Sequence, residues 1–331
     1  MNRSIETASK PIDCAERIVL QGERIAPDAV EWLARARGGR IHSLFQHAIN
    51  LIDKQGELFS LILPPLGPGP FALLLQPAPM EGLLADGFVG VLELGAPIRS
   101  WPGALQVGAL EVRLRDLQIW DPRPNWDGLR GSLTPARVEQ LGQLLRHHAP
   151  PGSLAPLADR PARSLWSERA SGGNLSAALL FTIAGLAREL LSGLIRSERG
   201  EIRRAASKLA GLGGGVTPAG DDFVLGAIHA LWASADRNRA TELARAMVDA
   251  VGSRTNAVSL AWLRAAARGE AANEWHALFE AVLAGRPIDQ VTRHLVRRGH
   301  TSGADALAGF VAARRALVSG AEASLLVGLP S

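Results

Sequence analysis

Apolar residues along this chain follow two different rhythms. Between residues 58 and 120 they come in short runs: Leu58–Leu63, Phe71–Leu75, Phe88–Leu94 and Val112–Trp120. Turn-like segments punctuate them, PPLGPGP at 64–70 and APIRSWPG at 96–103. Short apolar or alternating runs separated by Pro and Gly predict strands. The expectation is a small antiparallel β domain, a barrel or a sandwich. From residue 174 onward the rhythm changes. In TELARAMVDAVG, for example, Leu243, Met247 and Val251 recur at four-residue spacing on one helix face. Predicted helices cover 174–196, 200–210, 222–234, 238–251, 255–268, 273–284, 287–298 and 303–318.

Two further helices are predicted in the β-rich half. One is 27–37, with Pro27 in its first turn and Gly38-Gly39 as its stop; the other is 133–148, opened by Thr134-Pro135. The segment APPGSLAPLADRPARS at 149–164 reads as a boundary. The predicted fold is therefore α+β, an antiparallel β-rich domain followed by an all-α domain. Residues 1–25 are expected to be loosely ordered, 26–150 to form the β-rich domain, 151–165 a Pro-rich linker, and 166–331 the all-α domain.

Composition narrows the function classes. The 331 residues are 47% hydrophobic and 21% charged, enough apolar content for sizeable cores. Net charge is only +4, and the pI near 10.1 reflects arginine, because lysine stands only at 10, 54 and 208 and tyrosine is absent. No basic cluster interleaves with aromatics, so no nucleic-acid partner is expected. The single cysteine, Cys14, provides neither a disulfide nor a Cys-based zinc site. Residues 1–20 lack the features of a signal peptide, and the apolar runs look shorter than the roughly 20 residues of a membrane span. A cytoplasmic protein without a membrane partner is the expectation.

The richest chemistry lies in Gly211-Leu212-Gly213-Gly214-Gly215-Val216-Thr217-Pro218-Ala219-Gly220-Asp221-Asp222, directly before an apolar helix. A glycine-rich loop lets the backbone approach a ligand, and a helix N-terminus favours anions. The loop lacks the Lys-Ser/Thr of a P-loop. It also follows a helix rather than a strand, which removes the dinucleotide reading. It reads either as a tight inter-helix turn capped by Asp221 or Asp222, or as an amide cradle for a phosphate, carboxylate or carbamoyl group. In the second case Thr217 donates a hydroxyl and Gly213, Gly214, Gly215 and Gly220 shape the backbone. Two carboxylates repel a bare anion, so a carbamoyl group, with N–H donors beside its carbonyl, suits the loop better.

Three other segments are candidates. His300-Thr301-Ser302-Gly303-Ala304-Asp305 offers a possible acid–base histidine and an aspartate anchor, against plain helix capping. Arg254-Thr255-Asn256-Ala257-Val258-Ser259 offers a capping Thr255 and a Ser259 one turn on. His42-Ser43, with Asn50, lies in the β-rich half and is either structural or part of a site. An internal echo links Gly220-Asp221-Asp222-Phe223-Val224-Leu225-Gly226 to Gly303-Ala304-Asp305-Ala306-Leu307-Ala308-Gly309. It arises either by chance or because two helix starts converge on one pocket. No HExxH or His-x-His cluster occurs, so neither a metal nor another cofactor is expected. A Gly-x-Ser-x-Gly elbow is also missing.

These residues together carry a resemblance. GLGGGVTPAGDDFVLG resembles the G-x-G-x-G-L-T-P-S-G-D-D-F-L-x-G signature of domain-of-unknown-function family 2877. HTSGADALAGF is similar to its second signature, and TNAVSLAWLRAAARGE and RIHSLFQHAINL to its Thr-x-x-x-Ser and His-Ser-x-Phe blocks. The likeness spans about residues 35–315. Val216, Ala219 and Ala304 depart from the usual residues, and Ala219 removes a hydroxyl. Members of the family form one subunit of an oxamate carbamoyltransferase, in which phosphate splits oxalurate into oxamate and carbamoyl phosphate.

The resemblance implies a carbamoyl or ureido substrate, with phosphate or carboxylate ligands, and other protein subunits as partners. Asp221 or Asp222 would then orient the NH2 group. His300, Arg254 or Arg298 would meet developing or fixed negative charge. Alternative readings are a non-catalytic partner subunit and a metal-assisted amidohydrolase built on Asp221, Asp222 and Asp305.

Overall fold

The computed structural model describes residues 18–36, 38–77, 87–158 and 176–327, of which 320–327 are described by their backbone alone. The chain divides into two compact units. One takes the chain up to Leu66 together with Ala72–Trp120; the other takes Gly67–Phe71 and everything from Asp121.

The first unit is a β-barrel. Its strands are β1 (Ile18–Ile25), β2 (Gly39–Leu44), β3 (Ala48–Asp53), β4 (Leu58–Ile62), β5 (Ala72–Leu75), β6 (Pro97–Trp101), β7 (Ala104–Val107), β8 (Leu110–Arg113) and β9 (Gln118–Ile119). They join in the order β5-β4-β3-β2-β6-β7-β8-β1-β9, and β1 also pairs with β5, which closes the first eight into a ring. The pairing is mostly antiparallel, but β1–β8, β1–β9 and β4–β5 run parallel. Period-two alternation fills the interior: Ile49 and Leu51 from β3, Phe59 and Leu61 from β4, Leu73 and Leu75 from β5, Leu105 and Val107 from β7. Helix α1 (Pro27–Arg35) adds Trp32, which stacks on Phe59 at 4.8 Å and donates from Nε1 to the carbonyl of Glu57.

Several local expectations change here. Residues 18–25, expected to be loosely ordered, form the strand that closes the ring; residues 1–17 lie outside the described residues. The segment 96–103 holds strand β6 rather than a turn, because Ile98 points inward and the reversal is confined to Pro102-Gly103, with Gly103 at φ 84°. The run at 88–94 contains a 3-10 turn, Gly87–Gly90, that delivers Phe88 to the barrel core without pairing. The run at 112–120 breaks at Asp116, which adopts φ 54°, and splits into β8 and β9.

The second unit is helical. Its helices are α2 (Trp126–Ser132), α3 (Pro135–His148), α4 (Ala177–Arg196), α5 (Arg199–Leu209), α6 (Ala219–Trp232), α7 (Arg237–Val251), α8 (Ala257–Ala267), α9 (Asn273–Leu283), α10 (Asp289–Val296) and α11 (Ser302–Val327). Helices α2 and α3 belong to this unit, not to the β-rich one, since Trp126, Leu129, Val138, Leu141 and Leu145 join its core. The proline-rich stretch is no free linker over 151–158: Leu154, Ala155, Leu157 and Ala158 are buried in the same core, and 159–165 lie outside the described residues. Helix α4 also revises the expectation about apolar length. Its 20 residues reach a mean hydropathy of 1.6, long and apolar enough by length and composition to cross a membrane, but Ile183, Ala184, Ala187, Leu190 and Leu194 are buried in the protein core.

Helix α6 is apolar on nearly every side and sits at the centre, with only Leu225 less than fully buried. It crosses α11 backbone to backbone. A Cβ on Gly226 would lie 1.8 Å from the carbonyl oxygen of Ala306, and one on Gly309 would lie 2.1 Å from that of Phe223. The exchange is reciprocal, because Phe223 and Ala306 hold the same place in the two echoed segments. The glycines that open the echo behave alike. Gly220 approaches the carbonyl of Leu209 at the end of α5, and Gly303 that of Leu295 in α10.

Beneath this crossing lies an aromatic box. His229 of α6 packs against Trp126 and Trp275, which continue to Phe279 and Phe310. Burial pushes its pKa down to about 3, and Nδ1 has no hydrogen-bond partner.

Two outcomes are expected. Gly226→Ala or Gly309→Ala should force the helices apart at a cost of about 1–3 kcal/mol or more, read as a lowered Tm. A histidine kept neutral in the fold but protonated when unfolded costs stability as pH falls from about 6.5 toward 3. His229→Phe should flatten that part of the stability profile; an unchanged slope would show that the titration lies elsewhere.

Candidate functional site

The convergence expected from the echo is present. Thr217, in the glycine-rich loop, lies 2.7 Å from Ser302 at the start of α11, hydroxyl to hydroxyl. Thr217 also donates to Asp222 Oδ2 at 3.0 Å, and Ser302 hydrogen-bonds the same carboxyl. The loop before α6 and the start of α11 thus meet around one aspartate.

The loop itself is shaped by backbone demands. Gly211, Gly213 and Gly215 adopt φ of 73°, 110° and 97°, a region open to glycine at no steric cost. Gly214 meets nothing, and 214–216 are exposed. Asn256 Nδ2 donates to the carbonyl of Val216, tying the loop to the start of α8.

Neither aspartate caps α6. The cap position is Pro218, without a side-chain bond, so Asp221 and Asp222 fall inside the first turn and are free for other partners. Asp221 accepts from the Gly211 amide at 3.1 Å and from the Thr255 hydroxyl. Thr255 therefore does not cap α8 as expected; Asn256 does, accepting from the Ser259 amide at 3.0 Å. Ser259 Oγ is buried beside Asp221 without a hydrogen bond of ordinary geometry. On α11, Asp305 Oδ1 accepts from the Leu154 amide at 2.5 Å, and Thr301 also bonds this carboxyl.

Three aspartates thus share one buried neighbourhood: as whole residues, Asp221 is 2% exposed, Asp222 7% and Asp305 0%. Burial raises the pKa of each. Asp305 is pushed up to about 7. Asp222 stands well above the usual carboxylate range, through burial first and then the charge of Asp305. Asp221 rises less freely, because Thr255 and Gly211 support its charged form. No lysine or arginine forms an ion pair with any of them among the described residues.

Other expected site residues fall elsewhere. His300 and Arg254 are exposed. Arg254 contributes its carbonyl to the close approach of Gly211. Arg298 lies over Trp262 at 4.5 Å and pairs with Glu274 at 3.3 Å, so its guanidinium is committed. His42 and Ser43 belong to the barrel unit, at a bulge in β2 between Ile41 and Ser43. They form a polar chain of their own. His42 Nδ1 is 3.3 Å from Ser43 Oγ, which accepts from Asn50 Nδ2, and Ser60 Oγ donates to Asn50 Oδ1 at 2.6 Å.

Sequence reasoning missed Leu154 and Ser60, and gave the capping role of Asn256 to Thr255. The first acts through its amide, which leaves no sequence signature. Among the described residues, no group of three His, Cys, Asp or Glu side chains is arranged to hold a metal ion. A groove of about 320 Å³ between α4 and α5, lined by Arg188, Glu189, Ser192, Arg196, Glu201 and Arg204, contains none of the candidate residues.

The two neighbouring aspartates therefore have different tasks. Asp221 satisfies two donors and ties Gly211 to the start of α8, whereas Asp222 is held by the side-chain hydroxyls of Thr217 and Ser302. Asp221→Ala should leave the Gly211 amide and Thr255 hydroxyl without their acceptor and cost about 1–3 kcal/mol. Asp222→Asn should cost little or raise Tm at pH 8, where the buried charge is lost. Equal losses in the two variants would contradict this division.

Comparison with known families agrees with the geometry. Residues 209–314, which include the loop, both aspartates and the start of α11, match oxamate carbamoyltransferase subunit AllH. Residues 19–119, the barrel, match the AllH family N-terminal domain. No solved structure matches the chain. The chain belongs to the AllH family.

Proposed function

We propose that the chain is the ligand-holding subunit of a carbamoyltransferase acting on a carbamoyl or ureido compound of the oxamate or oxalurate type. The observation that carries this is the make-up of the site: Asp222 flanked by the hydroxyls of Thr217 and Ser302, with no ion-paired cation among the described residues. A carboxylate among hydroxyls accepts N–H donors, and a carbamoyl NH2 supplies two of them. A bare phosphate finds no positive partner there among the described residues, so the simple anion cradle expected of the glycine loop is the weaker form of the idea.

Charge balance separates what this chain supplies from what it needs. Asp222 orients the NH2 group, and Thr217 and Ser302 fix the carboxylate. Stabilisation of the tetrahedral oxyanion and of the phosphate requires positive charge or convergent N–H donors. His300 and Arg254, exposed in the isolated chain, are free to meet substrate or partner only where another subunit brings it to them. The family name describes a subunit, which supports this division of labour. Catalytic turnover is thus expected of the assembled complex rather than of this chain alone.

Thermal shift and calorimetry test the reading. Oxamate or carbamoyl phosphate should stabilise the chain, alone or with its partner subunits, and inorganic phosphate should do so less. Asp222→Asn should abolish that stabilisation, and turnover by the complex, while leaving the unliganded Tm within a few degrees of the parent. If no carbamoyl or oxamate ligand shifts either the chain or the complex, the reading fails. If turnover survives Asp222→Asn, the chain is a non-catalytic partner.

A further inference from the structure

Helix α6 holds Asp222 in its first turn and ends at Trp232, about 15 Å further along the helix axis. At that far end lies a second pocket, of about 100 Å³. The segment leading into α2, α2 itself, the end of α6 and the start of α7 enclose it, all within the helical unit. Trp126 and Trp232, stacked with ring centroids 6.3 Å apart, form its apolar side. Both indole N–H groups are committed, to the carbonyls of Gly269 and Ala266, which fixes the rings. The polar side sets three arginines, Arg123, Arg130 and Arg237, against one carboxylate, Asp127.

The three guanidiniums are not equivalent. Arg130 is anchored, donating to the carbonyl of Ala235 at 3.0 Å and pairing with Asp127. Arg123 stands 3.7 Å from Glu270, a carboxylate that Arg268 already holds through two hydrogen bonds of 3.1 and 2.8 Å. Arg237 makes no side-chain hydrogen bond or ion pair among the described residues. The nearby acids Asp121 and Asp236 accept from the backbone amides of Arg123 and Arg239. Once Arg130 is set against Asp127, Arg123 and Arg237 remain as two positive charges in excess.

Two guanidiniums present forked N–H donors that match the oxygens of an oxyanion. The indoles keep water from one side, which strengthens the attraction. Size and charge select the occupant. Pockets for whole drug-sized ligands run to roughly 300–1,000 Å³, so this one admits a single charged group. Two excess positive charges match a phosphate dianion better than a carboxylate. The larger groove between α4 and α5 is less suited: two glutamates face its three arginines, and Arg196 is taken by Ser192 and Glu201.

We propose that this pocket is a binding site for a phosphate group, free or carried by a larger molecule, clamped by Arg123 and Arg237 beside the anchored Arg130. Lying at the opposite end of α6, it is separate from the Asp222 site and does not depend on the carbamoyl reading.

Phosphorus NMR and calorimetry of the full chain with inorganic phosphate test it. The parent should bind phosphate, and Arg123→Gln with Arg237→Gln should weaken binding by about tenfold or more. Asp222→Asn and Arg188→Gln, the latter in the α4–α5 groove, should leave it unchanged. Acetate should compete poorly. Competition by glycerol phosphate would assign the pocket to any phosphate group, and its exclusion to the free ion; both uphold the site. Absence of binding in the parent overturns the inference. So does binding that survives the double arginine variant, that vanishes in Asp222→Asn, or that acetate matches. If the double variant does not fold, Arg237→Gln alone decides, since that side chain is exposed and its loss should weaken binding at an unchanged Tm. With inorganic phosphate present throughout, the pocket is filled in the parent and in Asp222→Asn alike, and carbamoyl ligands then report on Asp222 alone.

Discussion

The close crossing of α6 and α11 sets the terms for everything around it. Two glycines, Gly226 and Gly309, let each helix rest on the other's backbone, against the carbonyls of Ala306 and Phe223. At ordinary helix separations of 8–10 Å the two N-terminal turns would stand apart. Brought together, they place Thr217 and Ser302 within hydrogen-bond distance and put Asp222 and Asp305 in each other's field. The polar site is thus a by-product of an apolar packing decision made one to two turns away. The second shared glycine contact, Gly220 on Leu209 and Gly303 on Leu295, fixes where each helix begins.

Among the described residues, that site lacks positive charge. Buried carboxyls normally meet an arginine or a metal. Here, among the described residues, three of them meet hydroxyls and amides, which support one charge comfortably and three poorly. Such an arrangement lowers stability at neutral pH, a cost that natural proteins carry where function requires it.

Much of this was legible in the sequence, and the failures have physical causes. Helices α5 and α7 to α10 follow from amphipathic spacing and α6 from its continuous apolar run, and the glycine-rich loop announced itself through residues that serve no core. The echo of Gly220–Gly226 in Gly303–Gly309 pointed to the convergence, because the same small residues recur where the same close approach is needed. What was not legible is partnership. Asp222 in sequence is indistinguishable from an N-cap; only Pro218 holding that place frees it. Thr255 and Asn256 are both good caps, and their adjacent positions conceal which one turns to Asp221. The Leu154 amide carries no signal at all. In the barrel, strands β2, β3, β6 and β7 are short and partly polar outward, so periodicity alone undercounted them. Strand β1 escaped notice because its pattern, IVLQGERI, is broken by Gly22 at the point where it changes neighbours.

That change of neighbours has a consequence for how the barrel comes into being. The earliest described strand pairs through Ile18–Gln21 with β8 and through Gly22–Ile25 with β5. During synthesis, β1 emerges first and waits for strands made some fifty and ninety residues later, so the ring has no closed intermediate until Leu110–Arg113 has left the ribosome. A chain trimmed to begin after Ile25 would expose two raw edges instead of one. Edge-to-edge self-association, rather than simple loss of stability, is the defect such a trimming would produce.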